Sequence, residues 1–251
     1  MADAFTYGST VMSTYGVYVT SSTMPGMADV VVNDQQRGIS EGGVNFGGTR
    51  KPKRWTDNCY LVASSFNELR TRMDTVCSAL NPRGGDQLYV PDFESFVDSG
   101  YRRGAYCRLN GPIDVTLVAK WCYQFTLNWL NLRGTDVAST ISTLAGQSGT
   151  FNVTVGGNAY AYPTYTCTGD NFTLTNNTTG EALQILYASA SDSVVIDTWA
   201  KTITRVSGTD TYNALGFMVA GGQFPRLQGG VTNSLTISTG TVGLSWRNEW
   251  L

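Results

Sequence analysis

Histidine is absent from this chain of 251 residues. That removes Ser–His and Cys–His nucleophile activation and imidazole metal ligation, and leaves paired carboxylates as the acid–base route still open. Charge is scarce too. Asp, Glu, Lys and Arg make up 14% of the residues, against roughly 25% in an average globular domain. The formal net charge is −2, whereas a protein held by phosphates needs a cationic face, so sequence-specific nucleic-acid contact is not expected. No apolar run approaches the roughly 20 residues that a helix needs to cross a bilayer, so membrane insertion is not expected either. The opening MADAFTYGST lacks the basic head and apolar centre of a signal peptide. Five cysteines (Cys59, Cys77, Cys107, Cys122 and Cys167) are odd in number and scattered, with no C-x-x-C pair. They are expected as buried free thiols and not as zinc ligands or a disulfide framework. No cofactor and no metal is indicated.

What is present is β-forming: Thr, Ser, Val, Tyr and 28 glycines, with 12% aromatic residues. One long helix stands out, over residues 65–80. Phe66, Leu69, Met73, Val76 and Leu80 recur at steps of three and four, which puts them on one helical face. Ser65 and Glu68 fit a capping box, and Pro82 stops the helix. A helix of about four turns cannot hide that stripe alone, so a β-domain wrapped on one helix is predicted.

Around the helix, the expected strands are residues 14–20, 29–32, 55–63, 87–90, 101–109 and one long aromatic stretch over 113–132. Residues 33–48, with paired glycines and no period, are expected as a long loop. The basic knot Arg50-Lys51-Pro52-Lys53-Arg54 follows it. After Arg133 the composition changes, with Lys and Arg nearly vanishing until Lys201, and a domain boundary is placed there: 1–133 and 134–251. Eight short β-candidates in the second part suggest a two-sheet sandwich.

Candidate residues have structural readings beside their functional ones. Asp197, at a strand end, is expected to make a local Asx hydrogen bond. Phe224-Pro225-Arg226-Leu227 reads as a docking surface or as a turn anchored by Phe224 and Leu227. Tyr160 and Tyr162 read as sandwich packing or as one side of a sugar-binding face. Asp92, Glu94 and Asp98 are the nearest approach to a hydrolase's acid pair, on an expected surface connector.

Residues 191–238 resemble the distal tail proteins of long-tailed bacteriophages. The resemblance lies in the strand ending Val195-Ile196-Asp197, the return strand 202–206 with Gly208, the Phe224-Pro225-Arg226-Leu227 step, and Gly229-Gly230 with Asn233. The closing GLSWRNEWL and the AYPTYTCTG of residues 161–169 are similar to that family's end and sandwich signature. The resemblance implies a mainly β chain, with a ring-forming, tail-tube-like N-terminal barrel or sandwich carrying one helix, and a galectin-like C-terminal sandwich. It also implies a structural and not a catalytic role. Six copies would form a ring with a channel for DNA, joining the tail tube protein to tail-tip or receptor-binding proteins. Within that frame Arg37, Glu41, Phe46, Arg50, Lys51, Lys53 and Arg54 are the candidate subunit-interface residues, and Phe224, Arg226 and Leu227 the docking candidates. A carbohydrate-binding module at the tail tip and a tube-forming protein are the alternatives.

Overall fold

The computed structural model describes residues 4–23, 30–36, 43–50, 52–81, 85–92, 103–187 and 192–251; within 30–36 and 43–50 the description is of backbone only. The chain forms two compact units, Met1–Ser139 with Leu251, and Thr140–Trp250. The division lies just beyond the compositional break at Arg133, because β11 (Asp136–Ala138), the last strand of the first unit, still pairs with β8 (Arg103–Leu109).

The first unit opens with β1 (Ala4–Tyr7), β2 (Thr10–Val11), a 3-10 turn over Met12–Tyr15 and β3 (Val17–Ser22). The 3-10 turn occupies the first residues of the strand expected over 14–20, and Gly16 at φ 74° ends it. The strands β4 (Val30–Gln36) and β5 (Gly43–Arg50) then pair antiparallel, from Val30↔Arg50 to Gln36↔Gly43. The region expected as a loop over 33–48 is therefore largely a β-hairpin. Its glycines hid the strand pattern, since glycine carries no side chain to alternate.

β6 (Lys53–Val62) leads into α1 (Phe66–Ala79). The Ser65 hydroxyl accepts from the Glu68 N–H at 3.2 Å, and the Glu68 carboxylate accepts from the Ser64 N–H at 2.8 Å, one residue earlier than the expected capping box. Leu69, Met73, Val76 and Leu80 are buried in the same core as Val17, Leu61 and Phe125. Each such burial contributes about 1.5–3 kcal/mol. Phe66, the first of the expected stripe, instead lies exposed at the helix start.

β7 (Gln87–Asp92), β8, β9 (Val115–Ala119) and β10 (Cys122–Asn131) complete this unit. The sheet runs β2-β1-β7-β8-β10-β6-β3, with β9 added beside β10. The single strand expected over 113–132 is thus a hairpin, turned at Lys120-Trp121. Trp121 takes φ 62°, and the Lys120 ammonium sits 4.3 Å from its ring centre. The blurred alternation beyond Lys120 was this turn. Phe125, Leu127 and Trp129 on β10 are core, whereas β9 is exposed along its whole length.

The second unit begins with β12 (Ser142–Thr154) and continues through β13 (Thr164–Thr168), β14 (Phe172–Asn176), β15 (Glu181–Ile185), β16 (Ser193–Asp197), β17 (Thr202–Ser207), β18 (Asp210–Asn213) and β19 (Thr232–Trp246). The two strands expected at 234–238 and 242–246 are one bent strand, β19. Its first half pairs with β14 and its second half with β13, while β12 follows it along both. One continuous hydrogen-bonded sheet is thereby folded into two leaves, β15-β14 on one and β13-β16-β17-β18 on the other.

The bend requires glycine. Gly146, Gly149 and Gly240 have φ of 64°, 62° and 76°, a region that L side chains rarely adopt. A Cβ on Gly240 would lie 1.7 Å from the Thr168 carbonyl oxygen. Between the leaves lie Val153, Leu174, Leu183, Val194, Ile196, Leu235 and other aliphatic side chains. The abundant threonines pair across strands, Thr150 with Thr236 at 2.9 Å and Thr168 with Thr241 at 2.8 Å, the cross-strand contacts that stabilise an exposed sheet face.

Candidate functional site: a cleft in the second unit

After β16 the chain makes a tight turn. Asp197 Oδ1 accepts from the Trp199 and Ala200 N–H groups at 2.9 and 2.8 Å, the Asx arrangement expected of it. Thr198 is buried and donates its hydroxyl to the Pro163 carbonyl at 2.8 Å. This fixed turn presents Trp199, which is 40% exposed, and Lys201, which stands at φ 54°. The Tyr162 ring meets Trp199 edge to face, with centroids 4.9 Å apart.

Residues 224–228 form the opposite wall. They make no long strand, so side chains satisfy their backbone instead. Asn176 donates to the Arg226 carbonyl at 2.6 Å, Asn233 accepts from the Gln228 N–H at 2.8 Å, and Tyr165 donates to the Pro225 carbonyl at 3.1 Å. Leu227 exchanges both backbone hydrogen bonds with Ala161 and is fully buried. The docking expectation therefore fails for Leu227, which is an anchor in the core. Phe224 is half-buried against the same core, and only Arg226 reaches outward.

Glu181 aims both carboxylate oxygens at Arg226. Oε1 accepts from Nε at 2.8 Å and Oε2 from the backbone N–H at 2.7 Å. These bonds, against an opposing cost of burial, raise the guanidinium pKa further; Tyr162 adds to the effect. The same guanidinium lies 4.5 Å over the Tyr160 ring. Tyr162, Glu181, Lys201, Gln223, Phe224 and Arg226 are among the residues that line a cleft of about 610 Å³. The sequence singled out Tyr160, Tyr162, Phe224 and Arg226. It missed Glu181, Trp199 and Lys201. A tryptophan in a two-strand turn, two residues after an Asx-type Asp, was the one available signal for an exposed ring.

The interface candidates are dispersed. Arg37, Glu41 and Lys51 lie outside the described residues, and Phe46 and Arg50 are on β5. Arg54 is exposed. Lys53 is not: it is 2% exposed, and its ammonium binds Asp136 Oδ1 at 2.9 Å. That ammonium is committed internally. The period of two along β6 gives the reason, since Lys53 shares its face with Trp55, Cys59 and Leu61.

Asp57 shares that face as well. It is fully buried, and its Oδ2 accepts from Tyr89 Oη and Trp129 Nε1, both at 2.8 Å. Oδ1 meets no donor in hydrogen-bond geometry, although Ser22 and Trp55 face the carboxylate. Burial raises this carboxyl above the usual range. With no solvent access it serves packing and not turnover. Asp92 lies exposed at the end of β7, and Glu94 and Asp98 are outside the described residues. All five cysteines are free. Cys59, Cys107 and Cys167 are buried as expected, and burial pushes the Cys167 thiol up to about 12, while Cys77 is exposed on the helix. Among the described residues no cluster of acids and thiols could hold a metal ion, and no helix is long and apolar enough to cross a membrane.

Comparison with known proteins shows what the chain is similar to. The whole chain has the fold of SPP1 Dit, described as a paradigm of the hub adsorption apparatus in phages infecting Gram-positive hosts; the TM-score is 0.72 at 13% identity, covering 100% of both chains. A chain of the phage P2 baseplate in its activated, calcium-bound conformation is similar at TM-score 0.65 and 10% identity, over 99% of this chain and 98% of that one. Residues 156–250 match, by sequence, the family described as the siphovirus-type tail component, C-terminal domain. Together these findings give the whole chain the fold of those two proteins, and residues 156–250 a sequence likeness to that tail-component domain. No curated protein matches the chain by sequence.

Proposed function

We propose that the chain is a structural virion protein that assembles into a hexameric ring at the distal end of a phage tail. The ring joins the tail tube protein to tail-tip or receptor-binding proteins and leaves a channel for DNA; it performs no catalysis. It is made and assembled in the host cytoplasm and resides at the tail tip. The number six comes from the family resemblance.

The observation that carries the reading is β9. All five of its residues are exposed, and Val115, Leu117 and Val118 are 40%, 56% and 51% accessible. Among the described residues its one strand partner is β10. A free monomer avoids such an apolar edge strand, since it templates association. A ring subunit covers it with a neighbour, and the low charge of the chain fits the same economy of surface. The β4–β5 hairpin is the second contact, with the candidates Arg37, Glu41, Phe46, Arg50, Lys51 and Arg54 within or next to its stretch of sequence. Arg226, beside Phe224, is a docking residue for the proteins below the ring.

Light scattering and negative-stain microscopy of the purified chain test this, with a closed ring as the expected result. The double substitution Leu117→Glu, Val118→Glu should give a folded particle of one-subunit mass. Deletion of 38–48 should do the same, and rings that persist in both variants remove β9 and the hairpin from the interface.

A further inference from the structure

We infer that the cleft between the Asp197 turn and residues 224–228 binds a saccharide chain carrying anionic groups.

Three observations converge on it. The first is the platform. Trp199 and Tyr160 stand beside the cleft's lining, in contact with Tyr162 and Arg226 respectively, and are 40% and 41% exposed, although aromatic rings of this size usually bury their faces. The Asx turn fixes the backbone around Trp199, and the Tyr162 ring fixes the indole from one side. A ring held this way gives apolar contact to the C–H face of a sugar with little ordering cost on binding. The second is the polar equipment. The Arg226 guanidinium is clamped by Glu181, yet its side chain remains 39% exposed. Its remaining N–H groups, together with Gln223, offer donors in fixed positions, the arrangement by which a site orients hydroxyls. The third is charge. The lining holds two cations, Lys201 and Arg226, and one carboxylate, Glu181. Arg226 is matched to Glu181, so Lys201 supplies the surplus positive charge.

A peptide is a poorer occupant. Peptides commonly add to a free strand edge, and the strands at this cleft have none to give. β16 is paired on both sides, by β13 and β17. The outer edge of β15 is taken up by the chain after β18, through the Gln223 N–H to the Ala182 carbonyl at 2.7 Å and the Val219 N–H to the Gln184 carbonyl at 3.0 Å.

The test is calorimetric titration of the full-length chain with carboxylated probes (hyaluronan tetrasaccharide, tetragalacturonate and an α2,8-linked sialic acid tetramer), with neutral maltotetraose and with oligoglutamate. Saturable binding of at least one carboxylated saccharide is expected, weakened about tenfold or more by Trp199→Ala or Tyr162→Ala. Lys201→Gln should bring that affinity down to the level of maltotetraose. Trp199 and Lys201 are half-exposed or exposed, and circular dichroism of each variant verifies the fold. Absence of binding to all three carboxylated probes overturns the inference. So does binding that ignores Trp199→Ala, equal binding of maltotetraose, or equal binding of oligoglutamate. Ring assembly, scored by light scattering on the same samples, should be unchanged by Trp199→Ala. A failed sugar titration with intact rings therefore counts against the cleft alone.

Discussion

The two units solve the problem of a buried core in different ways. In the first, aromatic rings surround a carboxylate. Phe5, Tyr7, Trp55 and Tyr89 lie with ring centroids 5.1–6.2 Å from Trp129, and Asp57 sits among them with one oxygen and the neighbouring Trp55 N–H unsatisfied. In the second, the core is mainly aliphatic, and three of its buried polar side chains, Asn176, Asn233 and Glu181, each bond to the backbone of residues 226–228. The second design spends its polar groups to fix a wall of the cleft. The first leaves a polar group underbonded, and so ties its stability to pH.

The sharpest way to break this contrast is Trp129→Ala. It removes the ring at the centre of the aromatic cluster and a donor to Asp57, and should cost about 3–5 kcal/mol. Hydrogen exchange at β6 and β10 amides would show it as faster opening, while protection in β14 and β16 reports on the second unit separately. Next, Gly240→Ala should destabilise the second unit by about 3 kcal/mol, because the added methyl meets the Thr168 carbonyl at a positive φ. The same exchange experiment, read at β19, checks it. Asn233→Ala should cost about 2 kcal/mol by leaving the Gln228 N–H and Asn176 amide short of a partner; a urea melt reports the loss.

The smallest effect concerns pH. Burial lifts the Asp57 carboxyl, so the folded chain keeps that proton to a higher pH than the unfolded chain does. The associated stability is complete below the unfolded value, near 3.9, and is lost as pH rises through the folded value. The slope is at most about 1.4 kcal/mol per pH unit. Urea midpoints measured from pH 4 upward should fall more steeply for the parent chain than for Asp57→Asn. Parallel curves would mean that Asp57 already ionises freely in the folded state.

The sequence made the helix legible because Leu69, Met73, Val76 and Leu80 repeat at a period that only a helix uses. β14 and β16 were legible end to end because Gly-Asp-Asn and similar turns bracket clean alternation. Two features defeated the pattern. Where one strand bends at glycine, as β19 does, the sequence shows two strands and a turn. Where two strands meet in a two-residue hairpin without glycine, as at Lys120-Trp121, it shows one strand. The cleft was half legible for a different reason. Tyr160, Tyr162 and Arg226 are conspicuous as residue types, but their partner Glu181 lies 45 positions from Arg226 along the chain, and no local spacing announces such a pair. Lys53 looked like part of a solvated basic run until its place on the inward side of β6 gave it another role.

β19 has a consequence for biosynthesis. It touches three strands, β12, β13 and β14, yet it is translated after all of them. Until residue 246 has left the ribosome, neither leaf has its middle strand, and the earlier segments must wait with their greasy faces uncovered. Completion is then abrupt instead of gradual, and shortening the chain within β19 should yield an insoluble product, not a trimmed one.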